Sequence, residues 1–182
     1  MNKAIQRGHF RLSSGRHAQT YVQCASLLSD PAQAFILGDM LARHWADEKI
    51  DAVISPAVGG IIIGYEIARS LGVKFLFAEK PHGTMELRRN QQIPTNSRVL
   101  VVEDVITTGG SARAVGDMVE GYGSEVVGYA CIAHRLFDGA SKLDGKIIRQ
   151  HYTVDARSWD EEECPLCEKN VPIEAPGSGN LC

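Results

Sequence analysis

The sequence predicts an α/β protein, built on an open, twisted parallel sheet with helices on both of its faces. Short apolar runs typical of buried strands alternate along the chain with segments whose apolar residues recur at helical spacing. Glycine and proline, which favour turns and helix ends, separate many of these segments. Strands that alternate with helices form parallel sheets, because each helix carries the chain back along a sheet face.

The first units of this pattern follow Asp30. A helix is predicted from Pro31, because Asp30 can accept hydrogen bonds from free amides and proline suits a first helical turn. A buried strand is expected at 51–55, a second helix ends at Gly72, and another strand follows at 73–77. In the first helix the residues at helical spacing are Phe35, Leu37, Met40, Leu41, His44 and Trp45.

A polar stretch at 79–97 shows little core pattern apart from a possible hairpin around Met85 and Leu87. A loop of this length inside a compact domain is usually functional or mobile. An apolar strand at 99–102 follows it and stops at two adjacent carboxylates. The remaining predicted elements are a helix at 111–120 and strands at 126–133 and 146–154, before an irregular tail from Trp159.

The composition indicates one globular domain spanning 1–182. The chain has 44% hydrophobic and 23% charged residues, a balance typical of folded proteins. Its formal net charge of -3 gives no electrostatic case for a nucleic-acid or anionic-membrane partner. No window reaches the roughly 20 apolar residues of a membrane span, and residues 1–10 lack the apolar core of a signal peptide. The five cysteines, an odd number thinly spread, indicate reduced thiols in a cytoplasmic protein.

The segment VVEDVITTGGS, residues 101–111, carries the strongest functional signal. An apolar strand stops at Glu103 and Asp104, and a loop of small residues then opens a helix. Such a loop can direct amides and hydroxyls at a phosphate, while the helix N-terminus adds a favourable dipole. Glu103 and Asp104 would repel a phosphate but can accept hydrogen bonds from sugar hydroxyls. The pattern therefore predicts a ribose 5-phosphate site at the carboxyl end of a strand.

An acidic turn, with glycines chosen for backbone freedom, is the alternative interpretation of this segment. An isolated Thr-Gly-Gly would favour that alternative, whereas the complete strand, carboxylate pair, loop and helix favour the phosphate site. The segment lacks the lysine of a P-loop, which argues against that class of nucleotide binder.

Residues 101–111 resemble the signature with which type I phosphoribosyltransferases bind phosphoribosyl pyrophosphate (PRPP), two acidic residues followed by a short phosphate loop. The resemblance implies that Glu103 and Asp104 hold the ribose hydroxyls and that Asp104 takes part in catalysis. It also implies the family fold, with a core at about 30–135 and a small hood formed by the N-terminal and C-terminal segments, about 1–29 and 136–182. The implied PRPP-binding residues of this segment are Glu103, Asp104, Val105, Ile106, Thr107, Thr108, Gly109, Gly110 and Ser111.

Two further segments resemble the orotate phosphoribosyltransferases within that family. GHFRLSSGRH, residues 8–17, is similar to their opening segment, and AQTYVQ continues the match into the hood. Arg135 matches the arginine that binds orotate in the family, and Thr107 matches a phosphate-loop threonine that also reaches the base. A planar guanidinium suits the orotate carboxylate, whereas an exposed strand-end arginine is the alternative for Arg135.

The resemblance also implies a closing lid, a magnesium cofactor and a homodimer. Lys80 and His82 lie in the polar stretch, where they are expected to act in catalysis by bringing positive charge to the departing pyrophosphate. A solvated basic loop is the alternative. Mg2+ is expected to bind through PRPP and water rather than directly, with Asp104 the one possible protein ligand. In the family the lid reaches the neighbouring active site, so a shared lid is expected here.

Two lysines of the family are absent from this sequence. Ser13 stands in place of the opening-segment lysine, and Gly59 in place of the lysine of the pyrophosphate loop. The backbone amides of Gly59 and Gly60 lie at a predicted helix N-terminus, where they can still bind a diphosphate. The match begins later than in most relatives, so their N-terminal helix is not expected here.

Cys164 and Cys167 form a C-x-x-C motif near the C-terminus. The motif can supply half of a zinc site or a redox pair, but a zinc ion requires four ligands. No second C-x-x-C or suitable histidine cluster stands nearby in the sequence, so a structural or incidental role is expected for both cysteines.

Two other functions remain open. Another type I phosphoribosyltransferase, acting on a purine or uracil, is the nearest alternative, although an uncharged base offers no carboxylate to Arg135. A regulator that senses PRPP and controls RNA or DNA is the second. The net charge of -3 and the lack of a basic helix argue against that regulator.

Overall fold

The structure is a computed structural model that describes residues 4–12, 14–135, 141–154 and 157–176. The strands are β1 (Ile5–Arg11), β2 (His17–Val22), β3 (Ala52–Pro56), β4 (Lys74–Glu79), β5 (Glu86–Leu87), β6 (Arg98–Ile106), β7 (Glu125–His134), β8 (Lys142–Leu143), β9 (Lys146–Thr153) and β10 (Ser158–Trp159). The helices are α1 (Ala25–Leu28), α2 (Pro31–Arg43), α3 (Gly60–Leu71), α4 (Gly110–Gly121) and α5 (Pro165–Glu168), with a 3-10 helix at Glu161–Glu163. Within these ranges, no helix is long and apolar enough to cross a membrane.

The central sheet has seven strands in the order β5-β4-β3-β6-β7-β9-β8. The five inner strands run parallel, whereas β5 and β8 are short antiparallel strands at the two edges. All of β3 is buried, as expected for a central parallel strand covered on both faces. The predicted α/β class with a mainly parallel sheet is therefore confirmed.

Helices cover both faces of this sheet, and successive residues of a strand point to opposite faces. Val99 and Val101 of β6 lie in one core cluster with the buried residues of α4. Leu100 and Val102 of the same strand lie in the opposite cluster with those of α2 and α3. Because β6 packs against a core cluster on each face of the sheet, the two clusters together fix the position of its carboxyl end.

The N-terminal and C-terminal segments form a second sheet of three antiparallel strands in the order β1-β2-β10, called here the hood sheet. Arg16 fixes β10, because it donates to the Ser158 carbonyl at 2.8 Å and pairs with Asp160 at 2.9 Å. The prediction of an irregular tail from Trp159 was wrong. That tail contains part of β10 and the helix α5, which its short polar sequence did not reveal.

The helix α2 begins at Pro31, and the side chain of Asp30 accepts the Ala32 amide as predicted. Its buried stripe differs from the expected one, because Phe35 is 49% exposed and Met40 is 47% exposed. A Cβ on Gly38 would collide with the Cβ of Glu66, so α2 approaches α3 closely at this glycine. Phe35 and Met40 are turned outward, whereas Leu41 and Trp45 are buried as expected.

The polar stretch at 79–97 is largely folded onto the sheet. Met85 and the unpredicted Ile93 are buried, and the expected pairing near Leu87 is present as β5 against β4. The side chain of Gln91 accepts the Phe77 amide at 3.0 Å and donates to the Phe77 carbonyl at 3.2 Å. Residues 80–84 form an exposed tip that lies outside these contacts.

Candidate active site

The phosphate loop leaves the carboxyl end of β6 and enters α4. Gly109 is the N-cap of α4 and has φ of 77°, a left-handed conformation that favours glycine. A Cβ on Gly109 would lie 2.7 Å from Leu143 Cδ1, so the loop also passes close to β8. Thr107, Thr108 and Ser111 are exposed, which leaves their hydroxyls accessible to a ligand at the helix N-terminus.

The carboxylate pair lies within β6, which was predicted to stop before it. β6 continues to Ile106 because its pairing with β7 continues, with Glu103 opposite Cys131 and Ile106 opposite His134. The Asp104 amide donates to Glu103 Oε1 at 3.2 Å, and the Val105 amide donates to Asp104 Oδ1 at 2.8 Å. These bonds orient both carboxylates at the carboxyl end of the sheet.

The loop after β3 is packed directly against these carboxylates. A Cβ on Gly59 would lie 2.9 Å from each carboxylate oxygen of Asp104. A Cβ on Gly60 would lie 3.2 Å from Glu103 Oε1. The N-terminus of α3, with Gly59 as its N-cap, is therefore next to the carboxylate pair. The structure thus brings together two segments that are more than 40 positions apart in the sequence.

Desolvation makes one member of the carboxylate pair, Glu103, electrostatically unusual. Burial first, and the neighbouring Asp104 second, raise the pKa of Glu103 to about 9. Sequence reasoning missed Cys24, whose thiol donates to the Asp104 carbonyl at 3.8 Å. Burial, followed by Asp104 and Glu103, raises the pKa of Cys24 to about 12, so this thiol stays protonated at neutral pH. A lone cysteine far from the acidic motif gave no signal of this contact.

The buried Arg135 follows β7 beside the phosphate loop. Its amide donates to the carbonyl of Ile106 at 2.9 Å. Ile106 directly precedes Thr107, so the backbone of Arg135 lies beside the start of the phosphate loop. Arg135 is only 6% exposed, and burial lowers the pKa of its guanidinium. The alternative of an exposed strand-end arginine is therefore wrong, because the side chain is enclosed at the carboxyl end of the sheet.

The segment with Lys80 and His82 begins next to the α3 N-terminus. The Ala57 amide donates to the Ala78 carbonyl at 2.7 Å, so the end of β4 lies beside the loop that contains Gly59. Lys80 and His82 are both exposed in the 80–84 tip. Ser13, which was expected to stand in place of a family lysine, lies outside the described residues.

A cavity of about 570 Å³ lies between the hood sheet and the central sheet. Its lining is mainly apolar, with Arg7 as the charged residue and Cys24 as the link to the carboxylate pair. It does not include the phosphate loop, Glu103, Asp104 or Arg135. Because a phosphorylated sugar needs hydrogen-bond donors, the open carboxyl edge at β6 fits such a ligand better than this cavity does.

The expectation that no histidine cluster accompanies the C-x-x-C motif was wrong in three dimensions. His9 and His17 of the hood sheet lie beside Cys164 and Cys167, with one ligand atom of each residue within 4.8 Å of the others. The two histidines are about 150 positions away from the cysteines in the sequence. Only the pairing of the chain's two ends brings the four side chains together.

Comparisons with known proteins identify the family. The phosphoribosyl transferase domain matches residues 24–162. An orotate phosphoribosyltransferase of Caldanaerobacter subterraneus subsp. tengcongensis is 44% identical over 180 residues, which cover 98% of this chain and 93% of that protein.

Solved structures agree on the fold. Orotate phosphoribosyltransferase from Aeropyrum pernix is 29% identical with a TM-score of 0.69, covering 83% of this chain and 88% of its own. Adenine phosphoribosyltransferase from Thermoanaerobacter pseudethanolicus is 25% identical with a TM-score of 0.66, covering 74% of this chain and 88% of its own. The near-complete sequence match is with the orotate enzyme, and the chain therefore belongs to the phosphoribosyl transferase domain family and, within it, to the orotate phosphoribosyltransferases.

Proposed function

We propose that this protein transfers the phosphoribosyl group of PRPP to orotate, giving orotidine 5'-monophosphate and pyrophosphate in the synthesis of UMP. The observation that carries the proposal is the convergence of three features at one sheet edge. These features are an open phosphate loop, a partly buried carboxylate pair and the buried guanidinium of Arg135. Each suits a different part of the two substrates.

The phosphate loop and the carboxylates suit the ribose 5-phosphate of PRPP. The exposed hydroxyls of Thr107, Thr108 and Ser111 surround the N-terminus of α4, where a phosphate is favoured. Glu103 and Asp104 come just before the loop in the sequence. Their carboxylates can therefore bind the hydroxyls of the same sugar whose phosphate lies in the loop. Hydrogen bonds to both ends of the ribose would hold C1 at a defined position.

The α3 N-terminus suits the pyrophosphate of PRPP. The amides of Gly59 and Gly60 begin this helix, and the helix dipole favours an anion there. Lys80 follows the strand that is bonded to the same loop, so a closing tip can bring its ammonium to the leaving group. His82 lies two positions further along the tip and is proposed to assist in the same way.

Arg135 and Thr107 suit orotate. The guanidinium is enclosed beside the phosphate loop, and a charged hydrogen bond to a carboxylate is stronger where water is excluded. An orotate bound to Arg135 would point its ring towards the sugar held by Asp104. An adenine or a uracil has no carboxylate with which to bind this guanidinium.

The reaction requires positioning more than covalent catalysis. As the bond from C1 to pyrophosphate breaks, positive charge develops on the ribose, and a ring nitrogen of orotate forms the new bond to C1. The chain holds the two substrates in line, and its amides and Lys80 stabilise the negative charge of the leaving pyrophosphate. Closure of the 80–84 tip would exclude water, which otherwise hydrolyses PRPP.

The donor set at the strand end fits the Mg2+ that type I enzymes use with PRPP. Carboxylate oxygens are suitable hard ligands, and Asp104 faces the same space as the α3 N-terminus. The raised pKa of Glu103, about 9, makes that carboxyl a poor direct ligand at neutral pH. We therefore propose that Asp104 holds the cation mainly through water and substrate oxygens. The cation supplies neutralisation of the pyrophosphate charge.

A homodimer with a shared lid completes the proposal. Large apolar side chains of α2 and α3 are exposed, a pattern that marks a partner surface when they are contiguous. The two helices pack against each other, and the Arg69 guanidinium lies 4.3 Å from the Phe35 ring centre, so the exposed Phe35 lies next to α3. The large apolar residues exposed on the two helices are Phe35, Ile36, Met40, Ile62 and Tyr65.

A cytoplasmic location is proposed because the cysteines are free thiols. The described cysteines are all free, and three of them are buried. Free thiols persist in a reducing compartment, whereas secreted proteins usually pair their cysteines.

The test of the proposed reaction is the loss of orotate with PRPP and Mg2+, beside parallel reactions with adenine and hypoxanthine. Orotate alone should react, with one pyrophosphate released for each orotate consumed. Turnover of a purine base would retain the PRPP site and reject the assignment of Arg135. Binding of PRPP without any turnover, together with salt-dependent RNA binding, would instead favour a PRPP-sensing regulator.

A further inference from the structure

Four metal-binding side chains meet at the hood sheet, away from the candidate active site. They are His9 of β1, His17 of β2, Cys164 at the N-cap of α5 and Cys167 within α5. His9, His17 and Cys164 are 3%, 2% and 0% exposed. Among the described residues this is the group whose ligand atoms converge closely enough to surround one ion.

The distances between these atoms match the edges of a tetrahedron around zinc. With Zn–N near 2.0–2.1 Å and Zn–S near 2.3 Å, neighbouring ligand atoms should be about 3.3 to 3.8 Å apart. His9 Nε2 lies 3.0 Å from His17 Nδ1, 3.6 Å from Cys164 Sγ and 3.8 Å from Cys167 Sγ. His17 Nδ1 lies 3.2 Å from Cys167 Sγ. Since all four ligand atoms lie within 4.8 Å of one another, shifts of up to about 1 Å would bring them onto one ion.

A backbone contact prepares His9 for this role. Its Nδ1 lies 2.8 Å from the carbonyl of Val171, which can only accept a hydrogen bond. Nδ1 must therefore carry the proton, and the lone pair of Nε2 points at the other three side chains. Metal-bound histidines usually donate their second N–H to a carbonyl or carboxylate in this way.

The local fold explains how the four residues converge. The β1–β2 pairing is irregular between Arg7 and Phe10, and this bulge turns both His9 and Phe10 inward. His17 is paired with Arg11 on one side and with Trp159 on the other, at the centre of the hood sheet. The chain after Trp159 then folds back through α5, which presents both cysteines to the histidines.

Charge balance favours an ion over a set of neutral side chains. Two thiolates and Zn2+ form a neutral unit, so the buried site would need no further counter-charge. The thiol protons leave to solvent when the ion binds. Four protein ligands leave no open position, which is typical of a structural site rather than a catalytic one.

A two-iron cluster fits this geometry poorly. In the cluster type with two His and two Cys, the histidines bind one iron and the cysteines bind the other. Here each histidine is close to a thiol, with His17 Nδ1 only 3.2 Å from Cys167 Sγ. The four atoms therefore suit a single ion.

We propose that His9, His17, Cys164 and Cys167 bind one structural zinc ion, which fastens the C-terminal segment of the chain onto the N-terminal hairpin. The ion would act with the Arg16–Asp160 pair and the β2–β10 pairing, which join the same two segments. The site contains none of the residues proposed to bind PRPP or orotate. It can therefore be correct even if the proposed reaction is not.

Metal analysis of the full chain tests the proposal. After dialysis with excess zinc and removal of loose metal, the wild type should retain about one zinc per chain, because four ligands complete one ion. The Cys164→Ala/Cys167→Ala variant should retain less than about a tenth of that amount. Cys131→Ala is the matched control, since Cys131 is a free buried cysteine outside the cluster, and it should retain zinc like the wild type. Wild-type zinc at the level of the double variant would overturn the proposal.

Cobalt substitution tests the ligand set without depending on the folding of the double variant. Wild-type chain loaded with Co2+ should show the intense visible bands of tetrahedral cobalt and a near-ultraviolet thiolate charge-transfer band. His17→Ala should weaken or shift the visible bands, whereas His151→Ala, whose imidazole contacts the Leu37 carbonyl elsewhere, should not. Weak octahedral bands in the wild type, or a disulfide between Cys164 and Cys167 in freshly purified protein, would contradict a zinc site.

Discussion

Gly59 lies so close to Asp104 that a Cβ at position 59 would be 2.9 Å from both carboxylate oxygens. Real Cβ atoms do not approach other heavy atoms so closely, so any side chain there would push the carboxylate or the α3 N-terminus aside. A glycine at position 59 is thus matched to its surroundings. This contact joins the loop proposed to bind pyrophosphate to the carboxylate proposed to bind ribose.

Replacing Gly59 with alanine should impair PRPP use without unfolding the protein. A displacement of about 1 Å at a reacting centre can cost about 100-fold in rate, so kcat/KM for PRPP should fall by about that factor. Gly121→Ala is the control, because a Cβ there meets nothing within 4 Å. Steady-state kinetics at saturating orotate would measure both variants. Equal kcat/KM values for Gly59→Ala and Gly121→Ala would show that the contact does not matter.

The partly buried Glu103 should make stability depend on pH. Its pKa rises from 4.5 to about 9 on folding, so the folded state holds this proton more tightly than the unfolded state does. The resulting stabilisation is complete below pH 4.5 and is lost progressively as pH rises towards 9. Each unit of pKa difference corresponds to about 1.4 kcal/mol.

Glu103→Gln removes this proton equilibrium, so the variant should gain stability over the wild type as pH rises. Thermal unfolding of both proteins without PRPP or Mg2+, at several pH values from about 5 to 9, would measure the divergence. Glu120→Gln, at an exposed position of α4, should follow the wild-type curve. Parallel curves for wild type and Glu103→Gln would mean that Glu103 titrates normally.

Subunit mixing should reveal a shared lid. Lys80→Ala and Asp104→Ala should each be nearly inactive alone, because one lacks the lid cation and the other the ribose ligand. If Lys80 acts in the neighbouring site, random mixed dimers contain one intact site, and the mixture should recover about a quarter of wild-type activity. Denaturing and refolding the two variants together would give the mixed population. No recovery, in a mixture shown to contain mixed dimers, would place Lys80 in its own subunit's site.

The exposed face of α2 and α3 should hold the dimer together. Tyr65 is 56% exposed there, and a charge in its place would be buried without a partner on association. Tyr65→Glu should therefore shift the mass measured by light scattering from dimer towards monomer. Tyr122→Glu is the control, since Tyr122 is 51% exposed at the end of α4. A monomeric wild type, or a Tyr65→Glu dimer of unchanged affinity, would refute this interface.

The local pattern of the sequence was enough to predict the five inner strands of the central sheet. Asp30 and Pro31 begin α2, and Gly72 ends α3 in the left-handed conformation, because these signals act within one helical turn. The apolar run at 99–102 was found, but its continuation to Ile106 was not. That continuation depends on pairing with β7. The sequence of residues 103–106 does not by itself indicate this pairing.

Features that depend on distant parts of the chain could not be predicted. Phe35 and Met40 match helical spacing, yet the contact between Gly38 and Glu66 selects a different buried face. The motif of Cys164 and Cys167 gave only half of a metal site, because its histidines lie near the other end of the chain. The acidic motif and phosphate loop were recognisable since their residues are consecutive.

Comparing orotate with uracil shows whether Arg135 recognises the carboxylate of orotate. Hydrogen bonds to charged groups are worth about 1.5 to 3 kcal/mol, so Arg135→Ala should lower kcat/KM for orotate by about 10- to 150-fold. Any slow turnover of uracil, and the KM for PRPP, should change little. The exposed Arg43→Ala is the control. Wild-type turnover of orotate that far exceeds that of uracil, with this preference lost in Arg135→Ala, is the predicted result. An unchanged preference for orotate in Arg135→Ala would contradict the account.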